Sequence, residues 1–379
     1  MKIIADENIP CVEKAFASMG DVELLPGRGM RPEQVRDADI LLVRSVTRVD
    51  EGLLAGSKVR FVGSATIGFD HVDREYLQSR GIGFSTAPGS NAISAAEYVI
   101  SALMVLSERN RINFNEKTAG IIGCGNVGSR VLEKLSALGT QCLVNDPPLK
   151  ERGGHDDYVE LDALLQADII TVHVPLVSGA DHPTFHLLDK VFLEQLKPGA
   201  ILINTSRGSV VDNRALDHLL GQRSDLSVVL DVWEGEPEIS TSLLEKVTLG
   251  TPHIAGYSLD GKLRGTEMIY IAASKFLQRP LQWSAVNELP ATPPLDLEKF
   301  TVDDVSGNVR RAVLDCYDVR EDDERLRGIL SLPPQDRAAC FDRLRKEYPV
   351  RREFQARKIT SAGVDEASRG VLRGLGFAC

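Results

Sequence analysis

The sequence predicts an α/β protein with two parallel sheets and a smaller appended segment. Three observations carry that reading. Short apolar runs alternate with polar helical stretches over residues 1–93, the rhythm of strands joined in parallel by helical crossovers. The rhythm restarts at Lys117 and runs through a glycine-rich loop, Gly123-Cys124-Gly125-Asn126-Val127-Gly128. A proline-rich break, Pro290-Ala291-Thr292-Pro293-Pro294, then precedes a charged final stretch with no such loop.

In the first region strands are expected at residues 2–5, 40–43, 61–64 and 83–85. Between 94 and 109 the apolar positions Ala95, Val99, Ala102, Leu103, Val105 and Leu106 recur at helical spacing, and Ser94 with Glu97 reads as a capping box. A long helix therefore leads into the second region. There, strands are expected at 119–122, 141–145, 169–172, 200–204, 227–231 and 247–249, an order that fits a doubly wound nucleotide-binding sheet. A second long helix is expected over 261–277. The final stretch is too long for a tail and too short for another nucleotide domain, and reads as an α+β extension.

At 379 residues the chain exceeds one ordinary core. Its 43% apolar and 26% charged content is that of ordinary globular proteins. A net charge of -10 argues against a nucleic-acid partner, which needs surplus Lys and Arg, so an anionic ligand requires a local basic pocket. The six cysteines lack paired spacing, which favours reduced thiols in a cytoplasmic protein over disulfides or zinc. The first residues turn acidic at Asp6-Glu7 without a signal-peptide core, and no apolar run approaches the roughly 20 residues of a membrane span. No membrane partner is expected.

The glycine-rich loop follows an apolar strand and opens a helix. Gly123, Gly125 and Gly128 allow a tight turn and close approach of a pyrophosphate, and the helix start at Asn126 and Val127 supplies free N–H groups. Asp146, ending the next strand, is placed to accept from ribose hydroxyls and to repel the extra phosphate of NADP, so NAD is the expected cofactor. Its alternative is a surface residue in an Asp-Pro-Pro turn.

Further on, Asn204-Thr205-Ser206-Arg207-Gly208, Asp231-Val232-Trp233-Glu234-Gly235-Glu236-Pro237 and Thr251-Pro252-His253-Ile254-Ala255-Gly256 bring an arginine, a carboxylate and an imidazole to strand ends on one side of the sheet. Arg207 offers a planar fork matched to a carboxylate. His253 can take a hydroxyl proton as the carbinol hydrogen leaves as hydride, and Glu236 can hold the imidazole in one tautomer. Of the seven histidines, His253 is read as the one at a strand end. His182 and His186 read as loop residues, and no metal is expected.

In the order, spacing and flanks of these three motifs the chain resembles the D-isomer-specific 2-hydroxyacid dehydrogenases over residues 1–285. The resemblance implies Arg207, Glu236 and His253 as catalytic residues. It implies a cofactor site of Gly123, Gly125, Asn126, Val127, Gly128, Asp146, Thr205, Ser206, Arg207, Asp231 and Gly256, with Asp231 near the nicotinamide carboxamide. Two Rossmann-like doubly wound domains with a cleft between them follow: a discontinuous substrate-binding domain, residues 1–93 and 257–286, and an NAD-binding domain, 94–256. Residues 287–379 would be a C-terminal dimerisation domain, giving a homodimer, with a ligand-sensing regulatory domain as the alternative.

Ser45, in Arg44-Ser45-Val46-Thr47, and Thr66, in Thr66-Ile67-Gly68, each follow an apolar strand and would offer hydroxyls to a ligand. Tyr257 stands where the family commonly carries a small hydroxyl residue. With Arg44 nearby, these residues point to a substrate with a second anionic group, and the chain is similar to a branch of the family that oxidises a phosphorylated 2-hydroxy acid. Ser45, Thr66, Arg207 and Tyr257 are its expected ligands. 3-Phosphoglycerate, another D-2-hydroxy acid, and an NAD-sensing corepressor or scaffold on the same fold stay open. Val305, Val309, Val313, Leu314, Ile329, Leu330 and Leu332 of the extension are expected to need a partner surface. Its basic residues Arg343, Arg345, Lys346, Arg351 and Arg352 are expected either to face solvent or to reach a neighbouring active site.

Overall fold

The computed structural model describes residues 1–110, 112–153, 157–179, 181–296, 305–360 and 365–379. Two units divide the chain: residues 1–91 with 258–291, and residues 92–257 with 292–379.

The first unit holds five parallel strands, β1 (Lys2–Asp6), β2 (Asp21–Leu25), β3 (Ile40–Val43), β4 (Phe61–Ser64) and β5 (Gly83–Ser85), in the order β2-β1-β3-β4-β5. β3 and β4 are buried throughout, which is why their apolar runs are legible in the sequence. β2 escapes the sequence reading for the opposite reason. It is an edge strand paired with β1 alone, and its Asp-Val-Glu-Leu-Leu residues are all at least partly exposed. The helix Leu259–Phe276 packs on this sheet, opened by Ser258, whose hydroxyl accepts from Gly261 N–H at 2.9 Å.

The second unit holds β6 (Thr118–Ile122), β7 (Gln141–Asn145), β8 (Ile169–Val172), β9 (Ile201–Asn204), β10 (Ser227–Leu230) and β11 (Leu249–Gly250), all parallel, in the order β11-β10-β9-β8-β6-β7. The chain lays β7 on one side of β6 and then crosses to β8 on the other. The carboxyl ends of β6 and β8 therefore flank a topological switch point, where open sheets bind ligands.

The helix Ala92–Asn110 differs from expectation at its start. Ser94 lies inside it rather than capping it, with its hydroxyl donating to the Gly256 carbonyl, and Glu97 accepts from Phe354 N–H at 2.9 Å. Long-range partners have taken both side chains that read as a local capping box. Tyr98, Val99, Ile100, Ala102, Leu103, Val105 and Leu106 are all essentially buried, so the helix is covered on every side.

Part of that cover is the extension. Its helices Val305–Cys316 and Glu366–Leu375 pack on the helices Ala92–Asn110 and Asn126–Ala137 respectively, and Phe354, Leu372, Leu375 and Phe377 join the same core as Val131 and Leu135. At the other end of the sheet, Asp323 accepts from Gly250 N–H at 2.7 Å while Arg327 donates to the Leu244 and Val247 carbonyls at 2.9 Å each, so the short edge strand β11 is closed off. The extension is thus helical rather than α+β. Among the described residues its strand pairing is limited to the bridges Leu295 with Ile359 and Lys358 with Ala378. Nor do its apolar residues wait for a partner: Val309, Val313 and Ile329 are buried in their own unit, and Leu314, Leu330 and Leu332 pack against the same clusters. The side chain of Val305 lies outside the described residues.

Candidate active site

The glycine-rich loop turns at the end of β6. Gly123 has φ 85°, in the left-handed region that favours glycine, and its N–H donates to Asn145 O at 2.8 Å. A Cβ on Gly128 would sit 1.9 Å from the Gly123 carbonyl oxygen, so the third glycine lets the helix close on the loop. A Cβ on Gly125 would meet nothing within 4 Å. That open space lies at the start of the helix Asn126–Ala137, where the N–H groups of Asn126 and Val127 begin a row of unpaired donors. A pyrophosphate fits such a cradle. Asp146 ties the loop to the next segment: one oxygen accepts from Cys124 N–H at 2.7 Å and the other caps a short helix through Leu149 N–H at 3.0 Å.

At the end of β9, Asn204 organises the arginine. Its amide oxygen accepts from Ser206 N–H and Oγ–H at 3.0 and 2.7 Å, and its amide nitrogen donates to the Arg207 carbonyl at 3.0 Å. The exposed Arg207 guanidinium meets the neighbouring Ser206 carbonyl at 2.8 Å and, among the described residues, no carboxylate. Gly208 is required here because a Cβ would fall 2.0 Å from the Trp233 carbonyl carbon.

Glu236 and His253 meet as a pair. Glu236 Oε2 lies 2.8 Å from His253 Nδ1, and Oε1 accepts from Trp233 N–H at 2.8 Å. Burial pushes the Glu236 carboxyl up. The bond to His253, that residue's charge, the Trp233 N–H and the Arg345 charge outweigh it and hold the group below the usual glutamate range. His253 has φ 56°, an uncommon backbone for a non-glycine residue, and its N–H donates to Asp231 O at 2.7 Å. The Asp231 side chain, 1% exposed, fixes the rest of that loop: it accepts from Thr251 Oγ–H and Ile254 N–H at 2.7 Å each and from Ala255 N–H at 2.9 Å. The histidine is thus aimed by Asp231, whose carbonyl takes its backbone N–H and whose buried carboxylate takes the flanking residues, and by the Glu236 carboxylate on its ring.

Thr205 is joined by a residue that the sequence reading passed over. His173 follows β8, so His253 is not the sole histidine at a strand end. Its Nδ1 lies 3.1 Å from Thr205 Oγ1 and its Nε2 2.8 Å from Thr171 Oγ1. Burial drives its pKa down to about 3, so it is neutral and supports Thr205. The missed signal was its place directly after the apolar run Ile169–Val172.

His182 and His186 lie in loop segments and keep separate partners. His182 Nε2 is 2.9 Å from Glu151, and His186 Nε2 is 2.7 Å from Glu234. His186 also stands with Asp212 and Glu234 as a possible ligand group, their donor atoms lying within 4.8 Å of one another.

In the first unit Ser45 is exposed after β3, and Thr66, after β4, shares a 2.8 Å hydrogen bond with Ser64. In the second unit the Tyr257 ring stands edge-on to Tyr348 at 5.7 Å, and its hydroxyl is 3.5 Å from an Arg345 nitrogen. Here the expectation for the basic stretch is corrected. Arg351 is only 6% exposed, donates to the Ala255 and Ser94 carbonyls and covers the Tyr317 ring at 3.8 Å. Arg345 and Arg352 are partly buried, and Arg343 and Lys346 alone of the five are exposed. Arg345 and Arg351 turn inward on their own chain, whereas Arg343 and Lys346 face solvent as expected.

The family described as D-isomer specific 2-hydroxyacid dehydrogenase, NAD binding domain, matches residues 93–255. A domain of unknown function, DUF3410, matches residues 291–376. Over 380 aligned residues the chain is 47% identical to an erythronate-4-phosphate dehydrogenase of Escherichia fergusonii, covering 100% of this chain and 98% of that one. The chain belongs to the D-isomer specific 2-hydroxyacid dehydrogenase family. Among solved structures, D-lactate dehydrogenase from Aquifex aeolicus, complexed with NAD and lactic acid, is 25% identical with a TM-score of 0.56, over 73% of this chain and 96% of that one. NAD-bound 3-phosphoglycerate dehydrogenase from Entamoeba histolytica has the same fold, with 23% identity and a TM-score of 0.61 over 75% of this chain and 98% of that one. The chain is therefore an NAD-dependent oxidoreductase, and NAD is a cofactor that the glycine cradle fits. No helix among the described residues is long and apolar enough to cross a membrane.

Proposed function

We propose that this chain oxidises 4-phospho-D-erythronate to 2-oxo-3-hydroxy-4-phosphobutanoate, a step that supplies pyridoxal 5'-phosphate (vitamin B6) synthesis. The observation that carries the reading is its likeness to a curated erythronate-4-phosphate dehydrogenase along the whole length, extension included.

In this reading Arg207 holds the substrate carboxylate through paired N–H donors and so fixes C2. His253 Nδ1–H donates to Glu236, which leaves the Nε2 lone pair to take the C2 hydroxyl proton. As that O–H bond breaks, the C2–O bond becomes a carbonyl and the C2 hydrogen leaves with its electron pair. NAD, when bound, is the acceptor of that hydride. Glu236 then stabilises the imidazolium that has formed. The cofactor is assigned to Gly123, Gly125, Asn126, Val127, Gly128, Asp146, Thr205, Ser206, Arg207, Asp231 and Gly256. Ser45, Thr66 and Tyr257 join Arg207 on the substrate.

Two further assignments rest on the family resemblance and the chain's chemistry: a homodimer, tested by mass in solution, and a reducing cytoplasmic setting, consistent with six cysteines none of which is paired. Substrate identity is tested by following NADH formation across D-2-hydroxy acids with and without a terminal phosphate. The highest kcat/KM should fall on 4-phospho-D-erythronate. A preference for 3-phosphoglycerate would reassign the substrate, and NAD binding without turnover of any of these acids would refute the assignment.

A further inference from the structure

The extension carries a guanidinium that, among the described residues, makes no direct ion pair. Arg345 closes the helix Pro334–Lys346 and is partly buried. Its Nε is shut off from solvent and has no hydrogen-bond partner. Among the described residues it forms no ion pair, and its one polar contact is the long 3.5 Å approach to the Tyr257 hydroxyl. The neighbouring inward arginine shares the unpartnered Nε and, among the described residues, the lack of an ion pair, but its terminal nitrogens are taken. Arg351 spends them on the Ala255 and Ser94 carbonyls and its face on Tyr317, so its place is structural.

An arginine drawn partly out of water with no anion hydrogen-bonded to its fork is an unfavourable arrangement, and a ligand that brings an oxyanion to that fork is the natural remedy. The position fits. Tyr257 follows the His253 loop directly, and Arg345 lies close enough to Glu236 for its charge to act on that carboxyl. Arg207 is already matched to a substrate carboxylate, so a second arginine near the same histidine has a different group to hold. A guanidinium fork suits a phosphate better than a hydroxyl or a second carbonyl.

The geometry points to Arg345 as a phosphate-binding residue of this chain's own substrate site, acting with the Tyr257 hydroxyl and supplied by the extension in cis. The inference rests on the reading that the substrate is phosphorylated. It gives the extension a part in substrate selection that relatives without this segment cannot share.

Arg345→Met keeps much of the apolar stem and removes the fork, while Arg345→Lys keeps a charge without the fork. With NAD present, kcat/KM is measured on 4-phospho-D-erythronate and on D-erythronate. Arg345→Met should lose about 10- to 100-fold on the phosphorylated acid, mainly through KM, the size expected for one charge-assisted contact. It should leave D-erythronate and the Kd for NAD unchanged, and Arg345→Lys should lie between it and wild type. Equal losses on both acids would mean that Arg345 positions Glu236 or the loop, and an unchanged KM for the phosphorylated acid would mean that it touches no phosphate. Either result overturns the assignment. A wild-type enzyme that does not prefer the phosphorylated acid overturns the substrate reading instead. Inorganic phosphate, titrated into the NAD complex by calorimetry, then decides Arg345 separately: binding lost in Arg345→Met upholds the anion site, and binding retained removes it.

Discussion

Replacing Glu236 by glutamine tests the dyad with almost no change of shape. The carboxylate accepts on both sides, from Trp233 N–H and from His253 Nδ1, at 2.8 Å each. An amide has one acceptor and one donor end. If the new oxygen stays on Trp233, the amide N–H group faces Nδ1 and forces it to accept, which moves the ring proton to Nε2 and blocks the atom that must take the substrate proton. If the amide flips to keep the active tautomer, its N–H faces the Trp233 N–H, and a partly buried donor loses its partner at a cost of about 1–3 kcal/mol. The active tautomer is therefore disfavoured by roughly 5- to 150-fold, and the loss of the charge that stabilises the imidazolium adds to this. The corresponding Asp→Asn change in a Ser-His-Asp triad lowers kcat by about 10⁴-fold. We expect kcat/KM to fall by about 10²- to 10⁴-fold at neutral pH, with the Kd for NAD unchanged. The pH profile provides a second reading. The wild-type carboxyl is held below the usual glutamate range, so the paired carboxylate persists above its lowered pKa and is lost only as pH falls through that value. The glutamine variant has no carboxyl to titrate, so the part of the acidic limb that reports Glu236 should be missing from its residual activity. Near-wild-type turnover, or an unmoved acidic limb, would refute the dyad.

His253→Ala should cost about 10²- to 10⁴-fold in kcat while leaving NAD binding by fluorescence titration intact, and near-wild-type rates would remove His253 as the base. Asp146→Ser should raise the Kd for NAD and narrow the preference over NADP, although the lost bond to Cys124 N–H will also loosen the loop; an unchanged preference would place the ribose contact elsewhere. Leu372→Ala, fully buried where the extension meets the nucleotide unit, should destabilise the chain by about 2–5 kcal/mol, read by denaturant unfolding with and without NAD. A negligible change would mean that the extension does not share this core.

Most of the candidate site was legible because its signals are local. Gly123 to Gly128, Asn204 to Gly208 and the His253 loop each lie at the end of a buried strand, and buried parallel strands announce themselves as apolar runs. The failures have physical reasons. β2 is an edge strand whose apolar residues Val22, Leu24 and Leu25 stay at least partly exposed between acidic neighbours, and Ser94 and Glu97 have the spacing of a cap but are taken by Gly256 and Phe354 from distant parts of the chain. The inward turn of Arg345 and Arg351 is a long-range fact too, since a basic run reads alike whether it meets water or Tyr317 and Tyr257. The apolar residues of the extension were rightly read as needing cover, but that cover comes from helices of the same unit.

That shared core has a consequence for what the chain would be without its last segment. Gly374 approaches the helix Asn126–Ala137 so closely that a Cβ would stand 2.5 Å from that of Ala137, and Ser101 donates its hydroxyl to the Tyr317 carbonyl. The helices Val305–Cys316 and Glu366–Leu375 lie on the helices Ala92–Asn110 and Asn126–Ala137, so loss of the extension would bare apolar surface on the nucleotide-binding part of the same unit. The extension is therefore a structural part of that unit and not a detachable appendage.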